Sequence, residues 1–215
     1  MIIPAGRLFA LLSTRFCDYL PDHTYICSKK LIFGCMTRLI SVKTTDDILP
    51  EYRNTPVETL FEYHNFKQPF GSYKDSKMLI GMCMDKRKHL HIPDNFAFII
   101  RTGGANLRYS EFKVSYAIAV GGVRCIALIG HNNCGMVNLI SRKRQFVDGL
   151  VDATGWDRTQ AESHFRHFAP MFEIGNEEDF ILSEAKRLRL RYPKIVVAPL
   201  FYTLEDNLLY LIREE

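Results

Sequence analysis

The sequence predicts a single α/β domain in which helices flank a mainly parallel β-sheet. Short apolar, β-branched segments alternate with longer amphipathic segments, which is the pattern of strands and crossover helices in such sheets. The chain has 215 residues, of which 47% are hydrophobic and 12% aromatic, enough to fill one sizeable core. No apolar segment approaches the length of a membrane span, so the sequence gives no reason to place the chain in a bilayer.

The first element of this domain is a predicted helix that begins after Thr55. Pro56 follows Thr55, and Glu58 lies three residues after Thr55. This spacing is the signature of a capping box with proline in the first helical position. The helix is amphipathic and continues to about Tyr63. Further strands are predicted near residues 77–83, 96–101, 124–130 and 194–201, further helices near residues 110–121, 135–147, 157–168 and 177–191, and an edge strand over residues 207–212.

Residues 1–43 are predicted to form a poorly defined N-terminal extension, and residues 44–215 the domain itself. The extension shows neither a helical nor a strand period, and no uninterrupted apolar segment with a small-residue cleavage site, which argues against a secretory signal. An organellar presequence and a start codon assigned too early both stay open. Met36 is an alternative start.

Charge and cysteine usage limit the classes of partner and compartment. The net charge of +4 is modest for this length and gives no reason to expect binding to nucleic acid or to a membrane surface. Cys17, Cys27 and Cys35 lack the spacing of a zinc knuckle and the density of a disulfide scaffold, so we predict free thiols. Cys125 lies within an apolar strand and is predicted to be a core residue. The predicted location is therefore the cytoplasm.

Three residues at predicted strand ends offer soft ligands to one metal ion. One apolar segment ends at Cys83, and a second ends at Gly130, directly before His131 and Cys134. Because open α/β sheets place their sites at the carboxyl ends of strands, these side chains are expected to converge. Thiolate and imidazole ligands favour zinc, and three protein ligands leave a fourth position for water or substrate. Cys134 and Gly135 are further expected to begin a helix that lowers the pKa of the Cys134 thiol.

The segments around these ligands resemble those of the β-class carbonic anhydrases. CMDKR matches the Cys-x-Asp-x-Arg pattern of that family, and HNNC, later in the chain, matches its His-x-x-Cys pattern. FAFIIRTGGANLR and EFKVSYAIAVGGV stand between them in the family's order. The similarity spans roughly Asp46 to the C terminus, and it implies that Cys83, His131 and Cys134 bind Zn²⁺.

The resemblance also assigns roles near the metal to Asp85 and Arg87. Because Asp85 and Arg87 follow Cys83 at intervals of two residues, an extended chain would place all three on one face. Asp85 can accept the proton of zinc-bound hydroxide and so direct the oxygen lone pair at carbon, while Arg87 keeps the carboxylate ionised. The resemblance further implies that the backbone at Gly103 and Gly104 approaches the substrate, although these glycines could serve only a tight turn.

The resulting functional prediction is a zinc lyase, a carbonic anhydrase that interconverts carbon dioxide and bicarbonate. The resemblance also implies a homodimer or larger homo-oligomer, with the helix after Thr55 packed on a neighbouring subunit. Lys86 stands where the family usually has Ser or Ala, and RTGGAN replaces its usual Arg-Asn-Ala-Gly segment, and both departures concern the substrate pocket and not the metal ligands. Two alternatives stay open: hydrolysis of carbonyl sulfide or carbon disulfide at the same site, and a non-catalytic, zinc-stabilised binding or assembly protein.

Overall fold

The computed structural model describes residues 38–214, which are built around a six-stranded β-sheet. The strands are β1 Leu39–Ser41, β2 Met78–Cys83, β3 Ala97–Thr102, β4 Cys125–His131, β5 Val196–Tyr202 and β6 Leu209–Ile212. Across the sheet their order is β1-β6-β5-β4-β2-β3. The four strands β2 to β5 pair in parallel, whereas β6 and β1 are antiparallel to their neighbours. The predicted α/β fold with a mainly parallel sheet is confirmed.

Helices cover both faces of this sheet. They are α1 Pro56–His64, α2 Glu111–Ala119, α3 Lys143–Thr154, α4 Arg158–Phe172 and α5 Glu177–Arg191. One core cluster joins α1 to the sheet, and a second joins α2 and α5 to the opposite face. Every residue of β2 and β4 is buried, as expected for parallel strands that are covered on both sides.

Helix α1 begins at the predicted residue, but Glu58 accepts from the Asn54 N–H and does not complete the predicted capping box, and the helix packs differently from the expectation. The Thr55 hydroxyl accepts a hydrogen bond from the Val57 backbone N–H at 3.2 Å, and Pro56 is the first helical residue. Val57, Leu60 and Phe61 are each 0% exposed and belong to the core cluster that includes β2 and β4. The expectation that this apolar face packs on a neighbouring subunit is therefore wrong, because the chain's own sheet covers it.

The segment after β4 also differs from its prediction. We expected a helix from Cys134, but residues 132–138 form bends, turns and one isolated bridge, between Val137 and Ile174. A short 3-10 turn begins only at Leu139, and α3 follows it. Asn133 and Asn138 have φ angles of 54° and 52°, a left-handed conformation that interrupts a helix.

At the other end of the sheet, β1 lies within the segment that we assigned to the N-terminal extension. β1 pairs with the outer side of β6, so β6 is the predicted last strand but not the edge of the sheet. The sheet thus begins before residue 44. Cys17, Cys27, Cys35 and Met36 lie outside the described residues. None of the helices described over residues 38–214 has the length and apolar character needed to span a lipid bilayer.

Candidate metal centre

Cys83, His131 and Cys134 converge at the carboxyl edge of the sheet. Cys83 ends β2 and His131 ends β4, and these two strands are parallel neighbours. The potential ligand atoms of the three side chains all lie within 4.8 Å of one another, and the two Sγ atoms are 3.9 Å apart. Two Zn–S bonds of about 2.3 Å in a tetrahedral site would hold the sulfur atoms about 3.8 Å apart. The spacing of the cysteines therefore fits a zinc ion.

The ring of His131 presents one nitrogen to this cluster. Its Nδ1 lies 2.8 Å from the backbone oxygen of Asn132, as in an N–H that donates to a carbonyl. Its Nε2 is buried and has no hydrogen-bond partner among residues 38–214. A metal-binding histidine commonly donates its other N–H to an oxygen, which fixes the tautomer and the orientation of the ring. Nε2 is therefore the atom available to a metal.

The two cysteine thiols influence each other's protonation. The hydrogen bond from Cys134 lowers the pKa of the Cys83 thiol, and the same contact, together with burial, raises the pKa of Cys134. Without a cation the pair would therefore share one proton. The expected lowering of the Cys134 pKa by a helix dipole is wrong because no helix begins there. A divalent ion would favour the thiolate form of both residues.

Asp85 and Arg87 form a bidentate ion pair just beyond Cys83. Arg87 Nε donates to Asp85 Oδ1 at 3.0 Å and Nη2 to Oδ2 at 2.6 Å, which holds the pKa of Asp85 well below its usual range. The pair forms through a turn at Lys86 and Arg87, not along an extended strand, so the geometric argument for their common face was wrong. Arg87 Nη2 also donates to the backbone oxygen of Asn133 at 2.9 Å.

We call residues 83–88 the first ligand loop and residues 131–137 the second ligand loop. Sequence reasoning missed the side chains that hold the second loop. Asn132 Nδ2 donates to both carboxylate oxygens of Glu205, at 2.7 and 2.8 Å, and the backbone N–H of Cys134 donates to Glu177 at 3.2 Å. These partners come from the β5–β6 turn and from the start of α5, far away in sequence, so no local pattern indicated them.

Gly103 and Gly104 lie in a 3-10 turn after β3 and are both buried. Gly104 has a φ of 62°, which favours glycine. Gly103 lines an apolar cavity of about 380 Å³, where a Cβ at this residue would lie 2.9 Å from Met136 Sδ. Met84 of the first ligand loop and Met136 of the second also line the cavity, which therefore borders the metal centre. These observations give each glycine a packing or turn role, and their contact with substrate stays a prediction.

Solved structures match this chain, whereas comparisons of its sequence with known protein families and curated proteins find no match. Among solved structures, a β-carbonic anhydrase isoform from Trichomonas vaginalis superposes with a TM-score of 0.54 at 17% identity, covering 74% of this chain and 94% of that one. A carbonic anhydrase from Glaciozyma antarctica gives 0.50 at 20% identity, covering 75% and 98%. The chain therefore has the fold of the β-carbonic anhydrases, and the resemblance of its motifs extends to its three-dimensional structure.

Proposed function

We propose that this protein is a zinc-dependent carbonic anhydrase that interconverts carbon dioxide and bicarbonate at Cys83, His131 and Cys134. The observation that carries the proposal is a buried cluster of two cysteines and one histidine next to the bidentate pair of Asp85 and Arg87. Structural zinc sites usually have four protein ligands, whereas three protein ligands are typical of catalytic ones. The shared fold supports the same reaction.

Each residue of the site has a distinct task in this reaction. Zinc, when bound there, supplies a Lewis acid that makes hydroxide available near neutral pH. Asp85 would accept a hydrogen bond from the hydroxyl group and so aim the oxygen lone pair at the substrate carbon. Three N–H groups of Arg87 make four hydrogen bonds to Asp85, two to each carboxylate oxygen. Arg87 keeps Asp85 ionised and fixes it relative to the second ligand loop.

A second candidate function is hydrolysis of carbonyl sulfide or carbon disulfide at the same site. The apolar lining of the cavity beside the ligand loops favours it. Sulfur is larger and more polarisable than oxygen, so carbonyl sulfide and carbon disulfide gain more than carbon dioxide from contact with an apolar wall. Met84, Gly103 and Met136 would form part of that wall.

Metal content tests the assignment of the ligands. The purified protein should carry about one zinc ion per chain, and Cys134→Ala should lose most of it, because the loss of a thiolate ligand strongly weakens the site. Cys125→Ala is the matched control, since Cys125 is a buried cysteine at the start of β4 that is not part of the cluster. Full zinc occupancy in Cys134→Ala would disprove the site.

Substrate choice is tested on protein of known zinc content. Stopped-flow measurement of carbon dioxide hydration should show catalysis by the parent protein, and release of hydrogen sulfide from carbonyl sulfide should be slower. The reverse order of rates would favour the second candidate. A fully zinc-loaded protein that processes neither substrate would favour a zinc-stabilised binding or assembly protein.

We also propose that the protein forms a homodimer or a larger homo-oligomer. The surface that supports this lies on β3 and α2 and not on α1. β3 is the last strand on its side of the sheet over residues 38–214, and its Phe98 and Ile99 are 37% and 46% exposed. On α2, Phe112 and Tyr116 are 80% and 51% exposed. Exposed apolar edges of this kind are usually covered by a partner. Light scattering that shows a stable monomer at micromolar concentration would contradict this proposal.

The proposed location is the cytoplasm. Cys125 lies outside the proposed metal cluster and is a free thiol in the structure, and free thiols persist in reducing compartments. Cell fractionation should recover the protein in the cytosol. Recovery in an organelle would support the alternative that the N-terminal segment acts as a presequence.

A further inference from the structure

A buried lysine next to the metal centre has no hydrogen-bond partner within the part of the chain that the structure describes. Lys88 is 0% exposed, and its Nζ is one of two buried side-chain nitrogen or oxygen atoms there without a partner, the other being Nε2 of His131. An ammonium group has three N–H donors, and burying it without acceptors is costly. The environment of Lys88 therefore indicates an acceptor that the described chain does not itself supply.

Lys88 is the last residue of the first ligand loop, which begins at Cys83. Arg101 holds the backbone at both ends of this loop, because Nη1 donates to the Cys83 oxygen at 3.3 Å and Nη2 to the Lys88 oxygen at 3.2 Å. Burial lowers the pKa of Lys88, and the negative charges of Cys83, Asp85 and Cys134 offset that shift only in part. An anion beside Nζ would favour the ammonium form.

Until an anion binds the metal ion, the charges of the centre leave the Lys88 ammonium without a counterion. The thiolates of Cys83 and Cys134 would neutralise a divalent metal ion, and Asp85 is paired with Arg87 through a 2.6 Å contact. Lys88 then adds one positive charge that no described side chain balances by direct contact. Because interactions between charges are several-fold stronger in a protein interior than in water, this charge should attract an anion.

We propose that Nζ of Lys88 forms the cationic side of a subsite for a small monovalent oxyanion beside the Cys83, His131 and Cys134 cluster. Its natural occupant is bicarbonate, an identification that rests on the proposed function. The subsite itself requires only a bound metal ion and the buried ammonium. In the proposed reaction it stabilises the anionic product next to the metal.

Bicarbonate binding to cobalt-substituted protein tests this subsite, because the visible spectrum of cobalt(II) reports changes in its ligands independently of activity. Lys88→Met removes the charge and keeps an unbranched apolar side chain. It should raise the dissociation constant for bicarbonate by about tenfold to a hundredfold. Lys86→Met is the matched control, since Lys86 is an exposed lysine of the same loop. This control should change the constant by less than about twofold, because exposed charges are well screened.

The free energy of unfolding supplies a second test, because replacing a lysine with a purely structural role would lower it. Replacing a buried, unpartnered ammonium with an apolar side chain should maintain or raise the free energy of unfolding in urea. Bicarbonate affinity should therefore fall while stability does not. A Lys88→Met variant that loses both stability and cobalt would overturn the proposal and make Lys88 a structural residue.

The remaining outcomes separate this inference from the proposed function. Parent-like bicarbonate binding by cobalt-loaded Lys88→Met would overturn the subsite even if the zinc protein hydrates carbon dioxide. Binding that depends on Lys88 in a protein that does not hydrate carbon dioxide would support the subsite and overturn the proposed reaction. A parent protein that binds no cobalt would overturn both.

Discussion

The first ligand loop has charged side chains that pair within the loop, whereas the second is held by hydrogen bonds to distant parts of the fold. Asp85 and Arg87 are two residues apart, while Asn132 and Glu205 are 73 residues apart. This difference indicates that the two loops have different roles. We expect substitutions of Asp85 and Arg87 to change catalysis at constant zinc content, and substitutions of Asn132 to change metal affinity and stability.

Replacing Arg87 by alanine should have the largest effect on activity, because this side chain pairs with Asp85 and also donates to the second loop at Asn133. Hydration near neutral pH should fall on the order of a hundredfold, the upper range for loss of a residue that supports a metal site. Without the guanidinium, Asp85 is free to turn toward the metal, so activity should recover partly at higher pH. The measurement is a pH profile at matched zinc content. Activity within about twofold of the parent would show that hydration does not depend on the support that Arg87 gives to Asp85.

Asn132→Ala tests the second loop. It removes the bonds to Glu205 and the bond that Asn132 Oδ1 accepts from the Leu204 N–H at 3.0 Å. Zinc affinity should fall by about tenfold, and the free energy of unfolding by about 1–3 kcal/mol. Competition with a chelator and urea denaturation measure the two effects. Glu205→Gln is the control, since it keeps an acceptor and should lose less. Parent-like zinc affinity in Asn132→Ala would show that these bonds do not hold the ligands.

A smaller effect is expected at His64, which holds the chain just beyond the first loop. His64 is 2% exposed, accepts a hydrogen bond from the His91 N–H at Nδ1, and lies with Nε2 3.0 Å from the Asn207 oxygen. Burial lowers its pKa from 6.5 to about 4. The unfolded chain therefore binds a proton between these values that the folded chain excludes, and this contribution to stability is complete only above the unfolded pKa.

The predicted pH effect at His64 has a definite sign. As pH falls from about 6.5 to about 4, the free energy of unfolding should decrease by up to about 1.4 kcal/mol per pH unit from this residue. His64→Gln cannot titrate, so urea denaturation from pH 7 to pH 5 should show a shallower slope in this variant. Equal slopes in the two proteins would mean that His64 is not kept neutral by the fold.

The convergence of Cys83, His131 and Cys134 could be predicted from the sequence because it depends on local features. Apolar segments end at Cys83 and at Gly130, and parallel strands deliver their ends to one edge. The conformation after His131 could not be predicted in the same way. It depends on left-handed backbone at Asn133 and on an acceptor from Glu177, which lies 43 residues beyond Cys134.

Helix α1 shows the same limit in the fold. Its period indicated an apolar face, and its first turn was predicted correctly at Thr55 and Pro56. A hydrophobic period identifies the face that is buried but not the surface that covers it. That surface is the chain's own sheet, so a neighbouring subunit is not required at this helix.

The most direct test of the proposed reaction is stopped-flow hydration of carbon dioxide by the parent protein and by Asp85→Asn at matched zinc content. Asparagine has nearly the size of aspartate, but it lacks the charge that pairs with Arg87 and the second carboxylate oxygen. Both proteins should carry about one zinc ion per chain, while the variant should be slower on the order of tenfold to a hundredfold. Equal rates across the pH profile, or no hydration by fully zinc-loaded parent protein, would contradict the account.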